Sequence, residues 1–225
     1  GRAYEKPGSL LTRLGLRYRK ELLRRNKFRE NNQQFMPELV EVKRRNAYLS
    51  GYWHDERYFK DFEDDIRQDF AMRGDHESDY LNSITESVAV CLNVRRTDFV
   101  EIGAEREYRT ECGEGYYRQA IDLVAEQHKD IRIFGFSDDV EWCEANLKMQ
   151  KSITWIPHSE AGVKFGRYFW LMRQCKHFII PNSTFAWWAA WLANNPNKMV
   201  VCPKLWYNNP GLQSDGLLPN KWQCI

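Results

Sequence analysis

The sequence predicts an α/β fold: a parallel sheet wound on both faces by helices, over residues 86–225. Two observations carry this. Short apolar runs recur at 87–94, 131–136, 152–156, 177–181 and 198–202. Segments of helical period lie between them, at 116–128, 139–149, 163–174 and 184–194. A strand that is apolar at nearly every position is covered on both faces, and strands alternating with helices build parallel sheets through right-handed crossovers. The predicted domain is therefore doubly wound and Rossmann-like.

The region before it, 1–85, reads as irregular and mostly helical, an incomplete first domain. Ser9 is placed to cap a helix with Leu11, Leu14, Tyr18 and Leu22 on one face and arginines around the other. Such a basic helix is either a solvated face on a packed core or a surface for a membrane or a partner helix. No nucleic-acid-reading module accompanies it, so nucleic acid is not an expected partner. The stretch "RNAYLSGYW", 45–53, suits a short strand. In "DERYFKDFEDDIRQDFAM", 55–72, the residues Tyr58, Phe59, Phe62, Ile66 and Phe70 recur at helical spacing, which leaves the acids on the wet face.

Composition narrows the class further. With 225 residues, 43% hydrophobic and 28% charged, the chain can bury a core, and wholesale disorder is excluded. A net charge of +2 names no partner. Aromatics at 14%, nine of them Trp, fit a well-packed core and also a sugar-handling protein. The six cysteines are scattered, with no C-x-x-C pair, and read as free thiols in a reducing compartment rather than as metal ligands. No apolar run approaches the roughly 18 residues that a membrane-spanning helix requires. The opening residues read as the interior of a longer pattern rather than as a leader.

In open parallel sheets, ligands bind beyond the carboxyl ends of the strands, so the strand-to-helix turns are where chemistry is expected. The first is Asn93-Val94-Arg95-Arg96-Thr97-Asp98. A guanidinium is a planar fork that matches two phosphate oxygens and stays charged, so an arginine pair can hold a diphosphate without a metal. The bland alternative is a surface pair with Asp98 or another acid. The second turn is Phe136-Ser137-Asp138-Asp139. Asp138 with Glu141 fits a capping box, and an acid here could equally accept from the N–H edge of a guanine. Two acids with no third ligand make a poor metal site. The third is Pro181-Asn182-Ser183-Thr184, where Asn182 or Ser183 caps the next helix or opens an anion site at its N-terminus. Together the three turns would face a nucleotide diphosphate.

"VRRTD", "FSDDVEWCEANL" and "LMRQCKHFIIPNSTFAWWAAWL" resemble the ordered motifs of the bacterial α-1,2-fucosyltransferases, glycosyltransferase family 11. "GYWHDERYFKDF", "GYYRQAI" and "PKLWYNN…DGLLPNKW" fit the same family, so the resemblance runs from about residue 48 to the end. It implies a GT-B-like enzyme that transfers L-fucose from GDP-β-L-fucose to the 2-hydroxyl of a galactoside, with inversion and without a metal or other cofactor. Its partners are the GDP-sugar donor and a galactose-containing glycan. By the same resemblance Arg95 holds the donor phosphate, Arg96 supports it and Asp138 contacts the guanine. Ser183 and Thr184 then line the phosphate, with Asn93, Ser137 and Asn182 completing the donor site. Asp98, or Glu101, is the nearest carboxylate to take the acceptor's proton. A cytoplasmic location is implied, with peripheral association at the inner membrane face left open. Two departures stand out. Asn93 occupies a position where the family commonly has His, and Asn cannot titrate near neutral pH. The family's opening Gly-Gly-x-Gly-Asn-Gln turn is not found, which suggests either an N-terminally truncated product or gene, or a lineage that has lost part of the first domain. Another nucleotide-sugar donor, or a non-catalytic binding remnant, are the competing readings.

Overall fold

The computed structural model of the chain describes residues 27–31, 33–41, 47–71, 77–96, 112–209, 211–212, 214 and 216–225. The expected helix over 9–22, together with Thr97, Asp98 and Glu101, lies outside the described residues. The described residues form two compact units. The first runs up to Asp61 and includes Gly216 and Leu217; the second begins at Phe62.

The first unit is small. Strands β1 (Lys27–Arg29) and β2 (Tyr48–Ser50) pair in parallel, in register Lys27–Tyr48 through Arg29–Ser50. A short helix α1 (Pro37–Val40) stands between them, with its proline in the first turn, where the missing N–H costs nothing. The Glu30 carboxylate accepts from the N–H groups of Tyr52 and Trp53, at 2.7 and 3.2 Å, and so shapes the chain leaving β2. Buried Asp55 caps the 3₁₀ turn Glu56–Tyr58 and pairs with Arg57. Gly216, at φ 86°, passes so close that a Cβ there would sit 2.0 Å from an Asp55 carboxylate oxygen, so only glycine fits.

The second unit is a six-stranded sheet, parallel throughout. Its strands are β3 (Val88–Val94), β4 (Ile131–Ser137), β5 (Ile153–Trp155), β6 (His177–Ile179), β7 (Val200–Cys202) and β8 (Gln223–Cys224), in the order β5-β4-β3-β6-β7-β8. The five apolar runs all become strands. Beyond Val88, every residue of β3 is buried, as its composition required. Its alternate residues Val90, Leu92 and Val94 pack with Tyr117, Ala120, Ile121 and Val124 of helix α4 (Glu114–Gln127). That i, i+3, i+4, i+7 set is the apolar stripe of an amphipathic helix. Full burial of each aliphatic side chain is worth about 1.5–3 kcal/mol. Helix α5 (Val140–Asn146) adds Cys143 to the same cluster.

The opposite face carries α6 (Gly166–Gln174) and α7 (Thr184–Leu192). Tyr168 of α6 meets Phe136 of β4 edge-on at 5.4 Å, and its hydroxyl donates to the Ile156 carbonyl. Helix α7 is apolar almost all round and buries Ala186, Trp187, Ala189, Ala190, Trp191 and Leu192. At the middle of β4, Gly135 has no room for a side chain, because a Cβ would lie 2.2 Å from the Trp155 ring.

Three departures from expectation have local causes. The segment 55–72 is not one helix: two 3₁₀ turns, Glu56–Tyr58 and Lys60–Phe62, precede helix α2 (Glu63–Asp69), and Phe62 and Phe70 are exposed. Phe70 instead stacks on Trp188 at 5.8 Å. The helix expected from 163 begins at Gly166, because Lys164 and Phe165 both adopt the left-handed conformation. Strand β8 has no apolar pattern and is placed by backbone hydrogen bonds: Ile225 N–H donates to the Cys202 carbonyl and Lys204 N–H to the Ile225 carbonyl, at 3.1 and 2.8 Å. Short helix α3 (Leu81–Thr85) leads into β3 and buries Ile84.

Candidate functional site

The strand order reverses at β3, which has β4 on one side and β6 on the other. Register aligns the turns there. Val94 lies opposite Ser137, and Leu92 opposite Ile179, so the turns after β3, β4 and β6 emerge at one edge of the sheet. The three predicted turns are thus brought together.

Arg95 and Arg96 leave the end of β3 and meet Asp138 across the gap to β4. Arg96 N–H donates to Asp138 Oδ1 at 2.9 Å, and Arg95 Nη1 pairs with Oδ2 at 3.3 Å. The Asp138 side chain is only 7% exposed, whereas that of Arg95 is 35% exposed. A carboxylate this deep needs such partners, since desolvating an unpaired charge is expensive. The capping box assigned to Asp138 is therefore corrected. The cap of α5 is Asp139, whose Oδ1 accepts from Trp142 N–H at 3.2 Å. Asp138 is turned toward the arginines.

Ser137 is buried and already engaged. Its hydroxyl accepts from Asp139 N–H at 3.0 Å and from the Cys143 thiol at 3.3 Å, and its carbonyl meets His158 Nε2 at 3.1 Å. Burial pushes the Cys143 thiol up to about 11, keeping it a protonated donor. Asn93 is also buried, and its Nδ2 donates to the Phe136 carbonyl at 3.1 Å, cross-linking β3 to β4.

On the β6 side, Asn182 Nδ2 donates to the Trp206 carbonyl at 3.0 Å. Its Oδ1 is buried and makes no hydrogen bond among the described residues. Ser183 is the N-cap residue of α7 by position, yet its side chain bonds none of the helix's N–H groups. The start of α7 thus keeps its first-turn donors uncapped by a side chain. Ser183 is buried and Thr184 is exposed.

Two residues that sequence reading did not single out complete the arrangement. Trp142 lies under Arg96, with the guanidinium carbon 3.4 Å from the ring centroid. Tyr116 donates its hydroxyl to the carbonyls of Ile180 and Val201, at 2.6 and 3.3 Å, tying β6 to β7 just before the Asn182 turn. Trp142 was findable in principle: it lies in the first turn of the helix that follows the acid pair, four residues beyond Asp138. Among the described residues, no group of three or more His, Cys, Asp or Glu is placed to hold a metal ion, and no helix is long and apolar enough to cross a membrane.

The class follows from the comparisons with known proteins: this is a sequence of the glycosyltransferase type. More particularly, the chain belongs to glycosyl transferase family 11, whose family model matches residues 25–225. An alpha-1,2-colitosyltransferase of Escherichia coli is 31% identical over 78% of this chain and 61% of its own length. The O-antigen biosynthesis glycosyltransferase WbnK, also of Escherichia coli, is 34% identical over 52% of this chain and 38% of its own length. The galactoside alpha-(1,2)-fucosyltransferase 1 of Mus musculus is 28% identical over 64% of this chain and 41% of its own length. The chain thus spans less than two thirds of each of these relatives. No solved structure matches it.

Proposed function

We propose that the chain carries the donor-binding half of an inverting α-1,2-fucosyltransferase. The reaction is transfer of L-fucose from GDP-β-L-fucose to the 2-hydroxyl of a galactoside. The observation that supports it most is the Arg95–Arg96 pair, fixed by Asp138 at the reversal of a parallel sheet in a family 11 chain. Counted within the sheet, the strand order reads 3-2-1-4-5-6, which is the doubly wound nucleotide-binding order. The unit is accordingly a Rossmann-like domain of a GT-B-like enzyme. Arg95 and Arg96 hold the diphosphate from one side. Asn182, Ser183 and Thr184, at the start of α7, hold it from the other.

The chemistry follows from charge. As the acceptor oxygen attacks the anomeric carbon, the sugar–phosphate bond breaks and its electron pair leaves with GDP. Arginines and N–H groups already aimed at those oxygens hold them more strongly as charge builds, and one such donor is worth about 3 kcal/mol. A resident metal is not required for this step, so EDTA leaves turnover unchanged. Asp98 takes the acceptor's proton. Asn93 keeps the two strands in register and transfers none. The protein acts in the cytoplasm, where nucleotide sugars are supplied, at or near the membrane on which the glycan is assembled.

A second donor is favoured by one finding, the colitosyltransferase among the relatives. Donor profiling with a lactose acceptor separates the two. Transfer from GDP-fucose supports the reading; transfer from GDP-colitose alone replaces the sugar but keeps the site. If the chain binds GDP and transfers neither sugar, it is a binding remnant.

A further inference from the structure

We propose that Trp142 is a positioning residue for Arg96, and through it for the diphosphate grip. This rests on the donor reading above. The two arginines are neighbours in sequence, and each has a side-chain contact of a different kind on the β4 side. Arg95 is held by charge, through its Nη1 on Asp138 Oδ2. At Arg96, Asp138 Oδ1 accepts from the backbone N–H at 2.9 Å. Its guanidinium lies over the Trp142 indole at van der Waals stacking distance, 3.4 Å to the ring centroid.

The distinction matters chemically. An ion pair engages the N–H edge of a guanidinium, which is the edge a phosphate needs. A stack engages the flat face and no donor, so it orients the fork without competing for it. The platform is itself built in. Asp139 N–H donates to Ser137 Oγ, and Asp139 Oδ1 accepts from Trp142 N–H. The turn after β4 therefore presents the indole at the first turn of α5, beneath the arginine of the neighbouring strand. Asp138 sets the backbone of the arginine turn and Trp142 sets the plane of its second side chain.

The test is a double-mutant cycle on GDP affinity, measured by titration calorimetry on the full chain at fixed salt. Trp142→Ala weakens GDP binding by about five- to tenfold, the range that a partly desolvated cation–π contact supplies. Trp142→Phe, which keeps an aromatic face, stays within about twofold of the parent. Trp142→Leu, which keeps apolar bulk without that face, behaves like the alanine variant, so a packing role is distinguished from a stacking one. In an Arg96→Ala background, Trp142→Ala causes no further loss. An equal loss in both backgrounds, or a leucine variant that binds like the parent, overturns the proposal. If Arg95→Ala and Arg96→Ala both leave GDP affinity untouched, the donor reading itself fails and this proposal goes with it. That outcome is recognisable because it shows in the arginine variants alone.

Discussion

The two ends of the parallel sheet bury polar groups to opposite effect. At the amino end, His177 of β6 is enclosed and stacks on His128 with ring centroids 3.8 Å apart. Its Nδ1 accepts from Met199 N–H at 3.1 Å. Nearby, Lys176 N–H donates to Ala89 and Asn195 Nδ2 to the Lys176 carbonyl. These groups satisfy one another, and burial, with His128 and Lys176 adding to it, drives the His177 ring down to about 4, so it is neutral. At the carboxyl end the same backbone delivers two guanidinium groups, an Asn182 oxygen with no bond among the described residues and a helix start uncapped by a side chain. One end is closed chemistry that holds the fold; the other is where the proposed donor would bind. The contrast teaches that burial of polar groups alone does not mark a site. What marks it is polarity held in place yet left with capacity.

The largest expected effect breaks the carboxyl end only. Arg95→Ala removes a charge-assisted contact and lowers GDP affinity by about a hundredfold. The melting temperature falls as well, because buried Asp138 loses its ion-pair partner while keeping the Arg96 N–H. Calorimetric titration and a thermal melt on the same variant check both halves. The converse is His177→Ala, which strands the Met199 N–H and empties a stacked position. It costs about 2 kcal/mol of stability, read from urea unfolding, with GDP affinity unchanged.

A third measurement sharpens the amino end through pH. The folded-state value of His177 is depressed, so neutral His177 contributes its full stability above about 6.5, its unfolded value. That contribution is lost as pH falls toward about 4, as the unfolded chain binds the proton first. The parent should therefore lose part of its urea stability across that window, and His177→Gln should lose less. The smallest effect belongs to Ser137→Ala. Its hydroxyl serves the turn, so the variant loses about 1 kcal/mol of stability while GDP affinity holds. A tenfold loss of affinity instead would return Ser137 to the ligand.

Much of this was legible in the sequence, for a physical reason. Strands β3 to β7 and helices α4 to α7 were readable because a doubly covered sheet demands apolar runs and its helices demand a stripe. The arginine pair, Asp138 and the Asn182-Ser183 turn were readable because charge following a covered strand needs a purpose. What escaped was set by backbone geometry. Strand β8 is two residues with no pattern. The start of α6 was displaced by left-handed backbone at Lys164 and Phe165. Between the neighbouring acids Asp138 and Asp139, only the local dihedrals decide which one caps. Trp142 escaped because a tryptophan on an amphipathic helix reads first as core, and here one face of it is a platform.

Strand β8 has a practical side. Its pairing with β7, where Cys202 and Cys224 stand opposite with sulfurs 3.5 Å apart, covers a backbone edge that would otherwise be open to another chain. A protease cut before Gln223 would uncover it. Preparations cut there should form soluble aggregates on concentration.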